Sequence, residues 1–133
     1  MRAIHNIVLH CTATPQTTTP ESITRHWREV NGWKSPGYHH LIKANGEDVN
    51  LQPIELPSNG VAGHNANSIH ISYIGGMTKD DRTFAQKETM LKLVKKYKAM
   101  FPEAKVLGHR DFVGVKKACP NFSVKDWLKT VGL

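Results

Sequence analysis

Residues 4–11 read IHNIVLHC. β-branched and apolar types dominate this run, which is the composition of a buried strand. It closes on His10 and Cys11, where the apolar segment gives way to the polar TATPQTTT. The end of an apolar strand is a frequent position for a site residue in α/β proteins, so His10 is a candidate. The bland reading of the same residue is a hydrogen-bonded core histidine. Alternation along a strand turns Cys11 away from His10's face, which makes Cys11 a small buried hydrophobe rather than a fellow ligand.

Working outward, residues 19–32 (TPESITRHWREVNG) predict a helix. Thr19 suits the cap and Pro20 the first helical position, while Ile23, Trp27 and Val30 share one face and Asn31-Gly32 ends it. YHHLIKANGEDVNLQ (38–52) predicts two short strands about Asn45-Gly46, a strong hairpin signal, with Tyr38 opening the first strand. Residues 53–68 lack periodicity and carry prolines and glycines, so they predict a surface loop of the kind that often holds sites. SIHISYIGG then resumes as a strand. A long amphipathic helix follows, with Thr83 and Gln86 as a capping box and Met90, Leu93, Val94, Tyr97 and Phe101 as its stripe. Pro102 stops it, AKVLG (104–108) predicts a strand that delivers His109, and Ser123 caps a last helix. With no repeat or linker, these α/β elements read as one domain over residues 1–133.

Composition narrows the class of function. A chain of 133 residues with 39% hydrophobic content can build one core without staples. No segment approaches the roughly 20 apolar residues of a membrane span, and IVLHC is too short for the h-region of a signal peptide. The expectation is therefore a protein without membrane insertion that stays in the cytoplasm until released or exported. Two cysteines make no disulfide framework and are expected reduced. The net charge of +7 implies attraction to a polyanion without choosing among nucleic acid, membrane and cell wall. The lysines of residues 84–101 lack the interleaved aromatics of a base-stacking surface, so nucleic acid is not the expected partner.

Eight histidines call for discounting before promotion. His5, His26 and His70 read as surface or helix-flank residues. His39 and His40 are adjacent on a strand and face opposite sides, so they cannot both line one pocket. Cys119 lies beside Lys116-Lys117, whose charges would favour its thiolate, against the alternative of an inert free cysteine. The ten-residue spacing from His109 to Cys119 matches no compact zinc-finger pattern and by itself leaves the question open. Counting does better: two histidines from strand ends plus one cysteine make three ligands, the number a catalytic zinc site uses. The chain has no HExxH helix, which favours a strand-and-loop hydrolase over a zincin.

Four ordered segments sharpen this: IVLHCTAT (7–14), Gly32-Trp33 with GYHHLIKANG (37–46), AGHNANSI (62–69), and GHRDF with KKACPNF (108–112, 116–122). Together they resemble the zinc-dependent N-acetylmuramoyl-L-alanine amidases, in particular the small phage lysozyme-type enzymes that share a fold with the peptidoglycan recognition proteins. The resemblance implies a mixed central sheet flanked by helices, with zinc in a surface cleft. It implies His10, His109 and Cys119 as zinc ligands, and a retained cysteine as the mark of a cutting member rather than a recognising one. It further implies Tyr38 and Lys117 as catalytic residues, against the bland readings of a strand aromatic beside the hairpin and one more solvated lysine, and His64 as a residue that contacts substrate or orients a leaving group. The expected role of Lys117 and the Tyr38 hydroxyl is to stabilise the tetrahedral oxyanion. His40 departs from the bulky apolar residue that often follows GYH, either repacking the hairpin or adding a polar group near the cleft. The expected reaction is hydrolysis of the amide between N-acetylmuramic acid and L-alanine in peptidoglycan, by a monomer that reaches the wall through a lysis or export partner. The competing readings are a non-catalytic peptidoglycan-binding module and a protein inhibitor, for example of an RNA polymerase.

Overall fold

A computed structural model describes the whole chain, Met1–Leu133. The IHNIVLHC run forms β1 (Asn6–Cys11) at the interior of a five-stranded sheet. The remaining strands are β2 (His40–Ile42), β3 (Asp48–Asn50), β4 (Ser68–Tyr73) and β5 (Lys105–Gly108), in the order β3-β2-β4-β1-β5. β1 pairs in parallel with β4, Asn6 opposite Ser68 through Cys11 opposite Tyr73, and with β5, Asn6 opposite Lys105 through Leu9 opposite Gly108. β2 is parallel to β4 and antiparallel to β3, so the sheet is mixed. Ile7, Val8 and Leu9 are all 0% exposed, the signature of a parallel strand covered on both faces.

Three helices cover the sheet: α1 (Pro20–Glu29), α2 (Phe84–Met100) and α3 (Val124–Val131). Thr19 caps α1 by accepting from the Ser22 N–H, and Pro20 takes the first turn, where its missing N–H costs nothing. In α2 the Thr83 hydroxyl accepts from the Gln86 N–H and the Gln86 carboxamide accepts from the Thr83 N–H. The same Gln86 amide, fully buried, donates to the carbonyls of Ile42 and Ile74 and so ties the start of α2 to the sheet. Gly46, at φ +89°, takes the left-handed corner of the β2–β3 turn.

The two faces of the sheet differ in chemistry. Ile7, Leu9 and Cys11 of β1, Ile69, Ile71 and Tyr73 of β4 and Ile42 of β2 pack with Met90, Leu93, Val94 and Tyr97 of α2 and Val124 of α3. The alternate positions turn the other way: Leu41 joins Ile23, Trp27 and Ile74 under α1, and His10, His39, His70 and Ser72 are buried on that side.

Some expectations are corrected. Val30 does not join Ile23 and Trp27 but is the C-cap of α1 and 69% exposed, because the helix ends before that turn can bury it. Tyr38 does not open a strand; pairing begins two residues later, at His40. His70 is no surface residue but 0% exposed, since β4 lies between β1 and β2. His40 adds nothing to the cleft: it faces α2, hydrogen-bonded through Nε2 to the Tyr97 hydroxyl and through Nδ1 to Asp48 at 2.8 Å. No helix is long and apolar enough to cross a membrane.

Candidate metal centre

His10 is the penultimate residue of β1 and His109 the first residue beyond β5. Because these neighbours run parallel, both side chains emerge at the same carboxyl edge, with ring centroids 4.9 Å apart. The chain then loops through 110–118. Asp111 accepts the Gly108 N–H at 2.7 Å and holds the turn, and the Arg110 N–H donates to the Cys119 carbonyl at 2.9 Å, which folds the cysteine back onto the edge. Cys119 Sγ there lies 3.9 Å from His10 Nδ1 and accepts the backbone N–H of Cys11 at 3.1 Å.

The ligand atoms of His10, His109 and Cys119 all lie within 4.8 Å of one another, and no other group of three histidine, cysteine or acidic side chains is so disposed. Two imidazoles and one thiol suit zinc, whose bonds of about 2.0–2.1 Å to nitrogen and 2.3 Å to sulfur put tetrahedral N and S ligands about 3.5 Å apart. The His10–Cys119 separation needs only a small contraction to meet that. The donor set therefore fits this metal, and the His10–Cys119 spacing comes close to it.

The environment favours neutral forms of these ligands. Burial first, and then the charges of His70, His109 and Lys117, push the pKa of His10 well below its ordinary value. Burial and then Lys117 lower that of His109. Both rings therefore offer lone pairs at neutral pH, as a metal requires. The expected thiolate at Cys119 is corrected: its contact with the Cys11 thiol and its burial push its pKa up, and Lys117 opposes them only weakly. The lysines that looked adjacent in sequence are exposed while the sulfur faces inward, so a cation at the site has to supply the deprotonation.

Two grooves are lined in part by His109 and by Tyr38, whose rings each lie 4.9 Å from that of His10. One, of 690 Å³, is lined by Trp33, Asn59, Val61, Asn65, His109 and Lys117 among others, so Lys117 and His109 share a wall. The other, of 230 Å³, runs along α1 and includes Thr12, Ser22, Trp27 and Tyr38. The Tyr38 ring sits 4.9 Å from that of His10 and its hydroxyl donates to the Cys11 carbonyl at 3.3 Å. Trp27 meets Tyr38 edge-on at 5.3 Å. Burial, and then the neighbouring Cys119, push the Tyr38 pKa up, so the hydroxyl keeps its proton. His64 is exposed and lies tilted by 45° against Phe112 with centroids 4.5 Å apart, outside the lining of either groove.

The structure brings to this site residues that sequence reading passed over. His70 Nδ1 lies 2.8 Å from His10 Nε2, and His70 Nε2 lies 2.8 Å from Asn65 Oδ1. The signal was the alternation in SIHISY: the isoleucines and Tyr73 claim one face, which leaves His70 on the face of His10. The loop bearing Asn65 is anchored by Arg2, whose guanidinium donates to the carbonyls of Ile54, Asn65, Ala66 and Ser68.

Comparison with known proteins bears on this arrangement. Residues 1–122 match the family model described as N-acetylmuramoyl-L-alanine amidase. The endolysin of Enterobacteria phage T3 is 34% identical over 128 residues, covering 91% of this chain and 83% of the phage protein. That of Escherichia phage T7 is 31% identical over 127 residues, with coverages of 91% and 83%. Among solved structures, the Ph2119 endolysin from the Thermus scotoductus MAT2119 bacteriophage superposes with a TM-score of 0.88 at 24% identity, covering 99% of this chain and 86% of that one. Drosophila PGRP-LB does so with a TM-score of 0.81 at 16% identity, covering 98% and 82%. Both likenesses concern the fold.

Proposed function

The chain belongs to the N-acetylmuramoyl-L-alanine amidase family, and we propose that it hydrolyses the amide between the lactyl group of N-acetylmuramic acid and the L-alanine of the stem peptide in phage lysis, using zinc held by His10, His109 and Cys119. The observation that carries the metal-dependent reading is the convergence of three ligand atoms within 4.8 Å at the edge of a groove that also contains Lys117.

When bound there, zinc supplies Lewis-acid chemistry, acidifying water and polarising a carbonyl. The residues around it supply placement and charge. The Lys117 ammonium shares the groove wall with His109 and neutralises negative charge that develops on the scissile carbonyl oxygen. Tyr38, whose ring sits 4.9 Å from that of His10, keeps its proton and, by turning its hydroxyl from the Cys11 carbonyl, donates a hydrogen bond to the same oxygen rather than acting as a base. The departing amine of L-alanine takes up the proton released by the attacking water. The open groove of 690 Å³ gives room for the stem peptide, and the +7 charge of the chain favours approach to an anionic wall. His64, exposed beside Phe112 near the loop of His109, contacts substrate at the rim.

The reading is tested by digesting purified sacculi with zinc-loaded protein and identifying the soluble fragments by mass. The expected products are stem peptides with a free L-alanine amino terminus and glycan with an intact lactyl carboxylate. Cleavage within glycan or within the peptide instead refutes the assignment, and digestion undiminished after chelation refutes the metal.

A further inference from the structure

Hydrogen-bond polarity can be followed from one backbone amide to the metal-facing atom of His10. The Val61 N–H donates to Asn65 Oδ1 at 2.8 Å, which fixes that atom as the carboxamide oxygen. An oxygen of this kind only accepts, so His70 Nε2, 2.8 Å away, carries a proton. A fully buried imidazole with no carboxylate against it is neutral and carries one proton, which leaves His70 Nδ1 as an acceptor. His10 Nε2, at 2.8 Å from it, is then the donor, and the lone pair of His10 is at Nδ1. That is the nitrogen directed at Cys119 Sγ, 3.9 Å away.

The His70 ring is also confined to a slot. On one side it stacks on His39, with centroids 6.0 Å apart and planes 14° apart. On the other it lies against Gly60, where an added Cβ would meet ring atoms at 2.3 Å. No side chain other than hydrogen fits there without displacing the imidazole. His39 is in turn held by accepting the His70 N–H at its Nδ1 and by the Leu56 carbonyl at its Nε2.

We propose that His70, aimed by Asn65 and confined by Gly60, is a positioning residue that fixes the tautomer of His10 and so presents its Nδ1 lone pair to the zinc. The effect on zinc rests on His10, His109 and Cys119 being the ligands; the tautomer of His10 does not. Partners of this kind are worth about 10–100-fold in metal affinity.

The test combines two readouts on the full chain. Nitrogen-15 NMR of the metal-free protein reports which His10 nitrogen is protonated, and competition with a chromogenic chelator gives the dissociation constant for zinc. The expected wild-type result is a proton on Nε2 of His10. His70→Ala is expected to mix the two His10 tautomers and weaken zinc about 10–100-fold. His70→Asn, which returns an acceptor at the position of the ring's Nδ1, is expected to restore both. Gly60→Ala is expected to reproduce the His70→Ala result with the imidazole still present, and together with His70→Asn it decides the matter should His70→Ala fail to fold. A wild-type His10 protonated at Nδ1 overturns the proposal, as does an unchanged tautomer with zinc affinity within about twofold in a folded His70→Ala protein. Absence of zinc binding by a wild-type protein whose His10 is protonated at Nε2 overturns the metal-site reading and leaves the tautomer assignment standing.

Discussion

The two faces of the sheet solve different problems with the same strands. Toward α2, β1 and β4 present Ile7, Leu9, Cys11, Ile69, Ile71 and Tyr73, and stability there comes from apolar area removed from water. Toward the cleft the same strands present His10, His70 and Ser72, all buried. That side is held by directional bonds, and no buried side-chain nitrogen or oxygen in the chain is left without a partner. One face tolerates changes that conserve volume; the other tolerates little that alters a donor or an acceptor.

Substitutions should therefore separate cleanly by face. The largest expected effect is on the polar side: Cys119→Ser should lose zinc in metal analysis and cut sacculus hydrolysis on the order of 10⁴-fold, while the melting temperature of the metal-free protein barely moves. On the apolar side, Leu9→Ala should cost about 2–5 kcal/mol in denaturant unfolding and leave the turnover of the folded fraction unchanged. If Leu9→Ala instead removed zinc at full stability, the division between the faces would fail. Lys117→Ala should lower turnover about 10²-fold with the zinc content intact; loss of zinc would make the lysine a structural element.

The same comparison carries a pH dependence, which belongs to the polar face. Burial first holds His39 down to about 4 and His70 to about 3, against 6.5 for a free histidine. Below pH 6.5 the unfolded chain binds protons that the folded one refuses, so the stabilisation is complete above that pH and declines as pH falls toward 4. Urea midpoints of metal-free protein should thus fall between pH 7 and pH 5, by the equivalent of about 2 kcal/mol per histidine. A midpoint that rises over that interval would mean these rings are charged in the folded state.

What the sequence disclosed follows the same division. The strands, the Thr83–Gln86 capping box and the Asn45-Gly46 turn were legible because each depends on neighbours in sequence. Cys11 was assigned to the core by alternation alone. The ligand trio was legible through counting and through the ordered motifs. His70 was not, because a histidine in an apolar run is ambiguous until the strand order β2-β4-β1 sets it beside His10. The thiol of Cys119 was misjudged for a related reason: adjacency to lysines in the chain says nothing about which way the sulfur faces. Val30 shows the limit of periodicity, which continues past the point where the helix stops.

The position of β1 in the sheet also governs how the molecule comes into being. Synthesis produces IHNIVLHC before either of its partners, residues 68–73 and 105–108. The segment waits unpaired until those residues emerge, and a short β-prone run with little charge is prone to aggregate while it waits. Closing β5 onto β1 joins distant parts of the chain and is slow for the same reason. Completion of the sheet and assembly of the ligand trio are therefore late, nearly simultaneous events, so a chain released before Cys119 lacks a ligand and can acquire no zinc-dependent activity.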